Sequence, residues 1–510
     1  MRYLICLTAA IFIVCGGIAH GQDEAFPIIT AENADEVRLL GTFWHPDVLI
    51  ISEFSPNGRF LSSFNYPYRV PYKDIYIWDM ETMSLYNTIN LESSPEQIRF
   101  NPTSESMAIQ TWDTVDLWDL TTSSFTLSFS PASPLLPLVF SPDGTLLAAG
   151  DDFTPTIHLW NVNTGEEFDS LELGDLLAYD LNENILAAGN FNGVTLFNYI
   201  SGEIVGTLAT EEPVAEVFFT PNGTTLLTQS ETYNPYSLIY RFIDIDTLRE
   251  RATFTEWSGG GWTDGFYGYV LSSHLSPDGN TFGFNAGVAE TGEYLGVTIV
   301  DVPSGEVRFQ TAPSYCRPTN VIFSFDDRLL AVCTDEEIQI LDMTTGTQIS
   351  SIPVDTSEAQ AFSQDGSILA ILNCEGGEYP VQLWDTLTGT QLAALPGRCE
   401  NHDDILFSPD GSMLLVNSGQ LLMLYGIPTG QRTAYGSVPG RIAPSVINIR
   451  AAPSLEAEIT GEISGDVAVG GRDESNQFLY LSSHNGWVRA GEVYVDLGAV
   501  PIEDLPILRP

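Results

Sequence analysis

The stretch Phe140-Ser141-Pro142-Asp143-Gly144-Thr145-Leu146-Leu147-Ala148-Ala149-Gly150, followed by Ile157-His158-Leu159-Trp160-Asn161-Val162-Asn163-Thr164-Gly165, decides how this chain folds. Proline sets φ near about -65° at the first corner of a turn, and glycine accepts positive φ where the turn closes. Asp-Gly between apolar runs is a strong hairpin signal. A β-prone run follows, then an apolar pair ending in Trp-Asn, then Thr-Gly and another β-run. The unit therefore reads as four strands joined by two tight hairpin turns and one looser connection.

The same unit recurs along the chain. Turn copies begin at Phe54, Phe100, Phe140, Tyr179 (degenerate), Phe219, Leu275, Phe323, Phe362 and Phe407, at intervals of 46, 40, 39, 40, 56, 48, 39 and 45 residues. The second motif reads Trp78-Asp79, Trp118-Asp119, Trp160-Asn161, Phe197-Asn198, Ile243-Asp244, Val300-Asp301, Leu341-Asp342, Trp384-Asp385 and Tyr425-Gly426. A four-stranded sheet cannot cover both of its faces alone. Stacking such sheets radially buries those faces and leaves only short edges.

With these repeats the chain resembles the WD40 β-propeller family over about residues 37–436. The resemblance implies an all-β ring of four-stranded blades and a protein-interaction role. Nine turn motifs read literally as nine blades, while the family is more often seven- or eight-bladed, so eight or nine blades are expected. The usual Gly-His before each blade is missing, with only His45 and His402 at roughly suitable places. The family's His–Asp network is therefore not expected, and the blades should rely on apolar packing. Residues 37–43 resemble an outer strand without a blade of its own, expected to complete the last blade and close the ring. In the tail before it, residues 22–36, Thr30 is placed to cap a short helix through residues 31–37.

After Gly440 the period stops. Val446-Ile447-Asn448-Ile449-Arg450-Ala451-Ala452-Pro453-Ser454 and the later Gly486-Trp487-Val488 resemble the hallmarks of bacterial SH3 (SH3b) domains, over about residues 438–497. That resemblance implies a small SH3-like β-barrel that binds cell-wall peptides or protein segments. Phe478, Tyr480, Trp487 and Tyr494 are its candidate groove or core residues. Residues 498–510 read as a loose tail.

Composition bounds the function. The 510 residues carry 67 Asp plus Glu against 19 Lys plus Arg, a formal net charge of -48. Lys73 is the single lysine. Nucleic-acid binding needs cations to displace phosphate counterions, so it is excluded in practice. Polybasic attachment to anionic lipid and a Gly-Lys-Ser/Thr phosphate loop fall with it. The acid excess comes from missing bases, and 44% apolar residues can still build a core.

Arg2 precedes a charge-free apolar run over residues 3–19, and Ala19-His20-Gly21 follows with small residues at both cleavage positions. This pattern predicts a cleavable secretory signal over residues 1–21, hence an extracytoplasmic protein that does not span the membrane. Four cysteines follow it: Cys316, Cys333, Cys374 and Cys399. Cys-x-x-Cys metal spacing is absent, and export favours disulfides.

Four up-and-down strands per blade put the second-to-third loops and the inter-blade loops on one face. The long insertions all fall there. Tyr66, Tyr68 and Tyr72 lie in the loop of blade one, Tyr233 and Tyr236 in that of blade five, and Trp257, Trp262 and Tyr267 between blades five and six. These aromatics are the candidate binding face, weighed against a role in packing the loops down. The same parity puts all four cysteines near that face and predicts the pairs Cys316–Cys333 and Cys374–Cys399. No catalytic motif, metal-ligand spacing or cofactor loop is present, so no catalytic residue, metal or cofactor is expected. The sequence thus reads as an exported bacterial binding or scaffold protein, a monomer whose partner is a protein or a cell-wall or glycan component. The alternative is an extracytoplasmic enzyme whose site is assembled from several blades in the channel.

Overall fold

The computed structural model describes residues 26–494 except 45–49, 66–73, 82–83, 104, 112–113, 130–136, 152–155, 173–175, 183, 234–235, 258–273, 289–292, 313–320, 335–336, 354–358, 375–378, 398–403, 419–420, 428–437, 451–458, 473–477, 482–485 and 490–492. The protein is all-β, with almost no helix, and builds nine four-stranded antiparallel sheets in sequence. Blades one to eight span residues 50–90, 97–129, 139–172, 176–209, 214–257, 274–310, 321–352 and 359–395. Of the two blade counts expected, nine is the one found.

Blade nine is a composite. Its first three strands are Asp404–Phe407, Met413–Ser418 and Leu421–Gly426. Its fourth is Arg38–Trp44, which pairs antiparallel from Arg38↔Gly426 to Trp44↔Leu421. The outer strand expected near residues 37–43 therefore closes the ring.

The core is distributed. Each junction between neighbouring blades holds its own apolar cluster, for example Phe60, Ile75 and Ile77 of blade one against Phe100, Met107 and Ile109 of blade two. The cluster of Leu415, Leu422 and Leu424 with Phe54, Leu61 and Trp78 joins blade nine to blade one and completes the circle. Residues of the second motif, including Trp78, Trp118, Trp160 and Trp384, are buried in these junctions. The fourth strands Ser124–Phe129 and Glu203–Ala209 are largely exposed, so fourth strands form the rim and first strands lie nearest the axis.

Seven corners share one hydrogen-bond device. The hydroxyl of Ser55, Ser141, Thr220, Ser276, Ser324, Ser363 or Ser408 donates to the side chain of Asn57, Asp143, Asn222, Asp278, Asp326, Asp365 or Asp410 at 2.6–2.8 Å. The same oxygen accepts the backbone N–H five residues on, at 2.9–3.1 Å. Every one of these hydroxyl residues is buried. Asp and Asn alternate at the acceptor position, so the corner requires an oxygen and not a charge. A second set of acceptors closes the third-to-fourth turns: Asp79, Asp119, Asn161, Asn198, Asp244, Asp301, Asp342 and Asp385 each accept a backbone N–H two or three residues on. Part of the acid therefore belongs to the turns.

Two details differ from the sequence reading. In blade four Leu181 pairs with Leu186 and Asn182 with Ile185, so the degenerate corner begins at Leu181 and not at Tyr179. It is a shorter turn without Pro or Gly, which displaced the alignment by two residues. Tyr179 is instead a buried residue whose hydroxyl donates to the Pro137 carbonyl. At the N-terminus only a 3-10 turn forms, Ala34–Glu36, and Thr30 does not cap it. The Asn33 side chain takes over: its Oδ1 accepts the Thr30 N–H at 2.8 Å and its Nδ2 donates to Ile28 at 3.0 Å. That local bonding competes with helix growth. The segment itself is anchored, with Ile29, Ala34 and Val37 buried against blades eight and nine.

Beyond blade nine, a five-stranded sheet comprises Val438–Arg450, Ile459–Arg472, Phe478–Leu481, Gly486–Arg489 and Val493–Tyr494. The first two strands are long and pair with each other along two stretches separated by a register shift. The third strand pairs with the second, the fourth with the third, and the fourth returns to the first at Arg450↔Trp487. The pairings thus run in a closed cycle.

Candidate functional site

The up-and-down order of every blade gives the ring two unlike faces. The corner face carries the hydrogen-bonded turns described above. The insertion face carries the second-to-third loops and the inter-blade connections. Both ends of the propeller chain lie on the corner face. Gly426 ends the third strand of blade nine there, opposite Arg38 where the closing strand begins. The preceding segment is held to the same face, since the Ile29 N–H donates to the Gly411 carbonyl and the Ala31 N–H to Ser367 Oγ, both at 3.0 Å.

Among the described residues, the strands of blades five and six run further on the insertion side than those of the other blades. The second, third and fourth strands of blade five, Thr225–Tyr233, Tyr236–Asp244 and Arg249–Trp257, have nine residues each. In blade six, Thr281–Val288 has eight and Glu293–Asp301 nine. Equivalent second strands in blades two, seven and eight have five. In blade five the first strand reaches only Val214↔Ser230, whereas second and third strands stay paired to Tyr233↔Tyr236. At about 3.3 Å per residue, these extra residues raise a β-ridge on the order of 10 Å above the neighbouring blades.

The sequence candidates distribute unevenly over this geometry. Tyr233 and Tyr236 are directly paired across the tip of the blade-five hairpin, in strand and not in loop. Trp257 ends the fourth strand opposite Ser237. Tyr66, Tyr68, Tyr72, Trp262 and Tyr267 lie outside the described residues. In the C-terminal sheet, Tyr480 pairs with Trp487 and Tyr494 with Arg441. Cys333 and Cys374, at or just beyond the insertion-side ends of the second strands of blades seven and eight, are each disulfide-bonded. Cys316 and Cys399 lie outside the described residues.

Sequence reading missed a buried ionic group beneath the ridge. Arg241, 11% exposed at its side chain, is paired with Glu212 from the blade four–five connection, with Glu250 Oε2 at 3.7 Å, and bonds Ser230 Oγ at 3.2 Å. A legible signal existed: the second strand of blade five reads Thr228-Gln229-Ser230 where blades seven and eight read Val332-Cys333-Thr334 and Ile371-Leu372-Asn373.

First strands carry carboxyls of unusual basicity. Desolvation between blades one and two pushes Glu53 up to about 7, against the pull of Arg99, whose guanidinium is 4.0 Å away. Desolvation likewise pushes Asp180 up to about 6, although it accepts the N–H groups of Phe219 and Leu181 at 2.8 Å. Asp404 in blade nine is raised for the same reason. These groups sit in separate blades, and among the described residues no three His, Cys, Asp or Glu side chains are grouped to hold a metal ion. Among the described residues no helix is long and apolar enough to cross a membrane.

Comparison with known proteins gives a partial likeness. The chain is 33% identical over 122 residues to the WD repeat-containing protein SL1-17 of Schistosoma mansoni, covering 22% of this chain and 40% of that relative. No family model matches the chain.

Proposed function

We propose that this protein is an exported binding scaffold. Its propeller presents the insertion face to a protein or glycan partner. The C-terminal sheet acts as an SH3b-type module that holds the particle to the cell envelope or to a second partner. The observation that carries the reading is the polarity of the ring: the propeller's closing strands have their free ends, Arg38 and Gly426, on the corner face, and the extended strands of blades five and six rise on the opposite one. The partial likeness to a WD repeat protein supports an interaction role over a catalytic one. The closed cycle of strand pairings, with Trp487 of the Gly486-Trp487-Val488 motif joining Arg450 and Tyr480, supports the SH3b-type reading. Disulfide-bonded Cys333 and Cys374 fit an oxidising compartment, as the apolar leader over residues 3–19 does. The particle acts as a monomer, and its residual charge keeps it soluble.

The test has two arms. The tagged full-length protein, exported by its own leader, is used to capture partners from the envelope fraction. A variant lacking residues 438–510 is assayed for retention on isolated cell walls. The reading expects a specific partner captured through the propeller and loss of wall retention in the variant. Recovery of the full-length protein only from the cytoplasm would overturn the export reading, and unchanged retention of the variant would overturn the attachment role.

A further inference from the structure

We infer that Asn192, at the tip of the second-to-third hairpin of blade four, is a site of spontaneous covalent modification, where the side-chain amide is converted to a carboxylate, while the same dipeptide in two corners is held back. Asparagine followed by glycine offers this reaction the least obstruction, because glycine has no Cβ to crowd its own backbone nitrogen. Asn-Gly occurs four times, at Asn57-Gly58, Asn192-Gly193, Asn222-Gly223 and Asn485-Gly486. Asn485 lies outside the described residues. The step is a ring closure followed by hydrolysis. The Gly193 nitrogen attacks Asn192 Cγ, the Cγ–Nδ2 bond breaks, and the Gly193 proton leaves with Nδ2 as ammonia. Water then opens the cyclic imide at one of its two carbonyls. Breaking the bond to Cγ leaves aspartate. Breaking the bond to the main-chain carbonyl leaves isoaspartate, with an added methylene in the backbone.

Ring closure requires the side chain to swing until Cγ meets the glycine nitrogen, and the fold grants that freedom unequally. Asn222 Oδ1 accepts from Thr220 Oγ1 at 2.8 Å, from the Thr224 N–H at 3.1 Å and from Thr224 Oγ1 at 2.9 Å, and its Nδ2 donates to Asn280 Oδ1 at 3.4 Å. Asn57 Oδ1 accepts from Ser55 Oγ at 2.8 Å and from the Arg59 N–H at 3.1 Å. These bonds must break before either ring can close. Asn192 is exposed, and among the described residues its side chain makes no hydrogen bond. Only its backbone is held: the N–H donates to Asn190 Oδ1 at 2.8 Å, and the carbonyl accepts the Thr210 N–H at 3.2 Å. The product alters the tip. Gly193 pairs with both Asn190 and Ala209, and a Cβ built on it would collide with the Leu208 carbonyl oxygen. A backbone lengthened by isoaspartate does not fit that close approach, so it would part the outer strand from the third at its insertion-side end. Aspartate would instead set a new charge beside the exposed Phe191.

The test ages the full-length protein in mildly alkaline buffer, once folded and once in denaturant, and maps it with a glutamate-specific protease. Peptides 54–81, 184–203 and 217–231 separate the three asparagines, and tandem mass spectrometry assigns the amide-to-acid mass gain to a residue. In the folded protein Asn192 should convert about tenfold or more faster than Asn57 and Asn222, the effect of two or three bonds that must be broken first. In denaturant the three rates should converge. Thr224→Val removes one of the bonds to Asn222 Oδ1 and should speed Asn222 in the folded protein by about fivefold, with Asn192 unchanged. Conversion of Asn192 no faster than the corners in the folded protein would overturn the proposal. So would the same ordering in denaturant, which would assign the difference to flanking sequence, or an unchanged Asn222 rate in folded Thr224→Val. The wild-type comparison stands without the variant if that variant fails to fold.

Discussion

The backbone N–H of Asp278 in blade six donates to Oδ1 of Asp327 in blade seven, 3.3 Å away across the junction between their corners. Asp327 occupies the place that Gly58, Gly144, Gly223, Gly279, Gly366 and Gly411 hold in other corners, and it adopts the same left-handed backbone at φ +56°. An L-residue with a Cβ is strained there. Its carboxyl also faces the charges of Asp278 and Asp326, and desolvation first, then the Asp278 charge, pushes it up to about 6. Asp327→Gly removes the strain and the repulsion while losing the bonds that its carboxyl accepts from the Asp278 N–H and the Ser276 side chain. The variant should be more stable than wild type by about 1 kcal/mol. Chemical denaturation at pH 7.5, or about that, reads it directly, and a lower midpoint would count against the strain argument.

The raised carboxyls make stability pH-dependent in a definite direction. Glu53 rises to about 7, and Asp180 and Asp327 to about 6, each above its unfolded value. A folded state that holds its protons more tightly is favoured at low pH. The stability is present in full below the unfolded pKa values and is lost as pH rises through 6 and 7. Asp143, Asp244, Asp301 and Asp342 are shifted the opposite way; Asp244, held at about 2 chiefly by Thr247 and also by Arg251, loses its contribution only as pH falls toward 2. Thermal unfolding should therefore give a higher midpoint near pH 5 than near pH 8, and Glu53→Gln should flatten the upper part of that slope. A midpoint that rises steadily from pH 5 to pH 8 would refute the assignment.

The corner hydroxyls are the second testable element of the fold. Ser408 donates to Asp410 at 2.6 Å and accepts the Met413 N–H at 3.0 Å, in full burial. Ser408→Ala leaves that N–H without its acceptor and should cost about 1–3 kcal/mol, while Ser408→Thr, as in the natural Thr220 corner, should cost much less. Equal loss in both variants would point to packing instead.

The disulfides have a mapping test. Cys333 and Cys374 are bonded and lie in neighbouring blades. We expect a non-reduced peptide map to join Cys333 to Cys316 and Cys374 to Cys399, each bridge local to one blade. A peptide joining Cys333 to Cys374 would place the crosslink between blades and require a different account of the junction.

What was legible in the sequence follows from the range of the forces involved. Corners with Ser-Pro-Asp-Gly are local chemistry, decided within six residues, and they mark their blades without reference to the rest. Blade four lacks both Pro and Gly at its corner, and its start was read two residues early. The closing strand was legible because residues 37–43 read as β-prone with no blade attached. Strand length was not: Tyr233 and Tyr236 read as loop aromatics, yet pairing with each other extends the hairpin to its tip. The surroundings that shift Glu53 and Asp180 are also invisible locally, because they come from the next blade: Arg99 lies 4.0 Å from Glu53, and the Phe219 N–H bonds Asp180.

The composite ninth blade has a consequence for synthesis. Arg38 pairs with Gly426, 388 residues further along the chain. The closing strand leaves the ribosome before any blade exists and finds its partner only after all nine have been made. During that interval it is an unpaired edge, and contacts this distant in sequence form slowly. A chain that ends between Trp44 and Leu421 thus carries both an open ring and an orphaned strand.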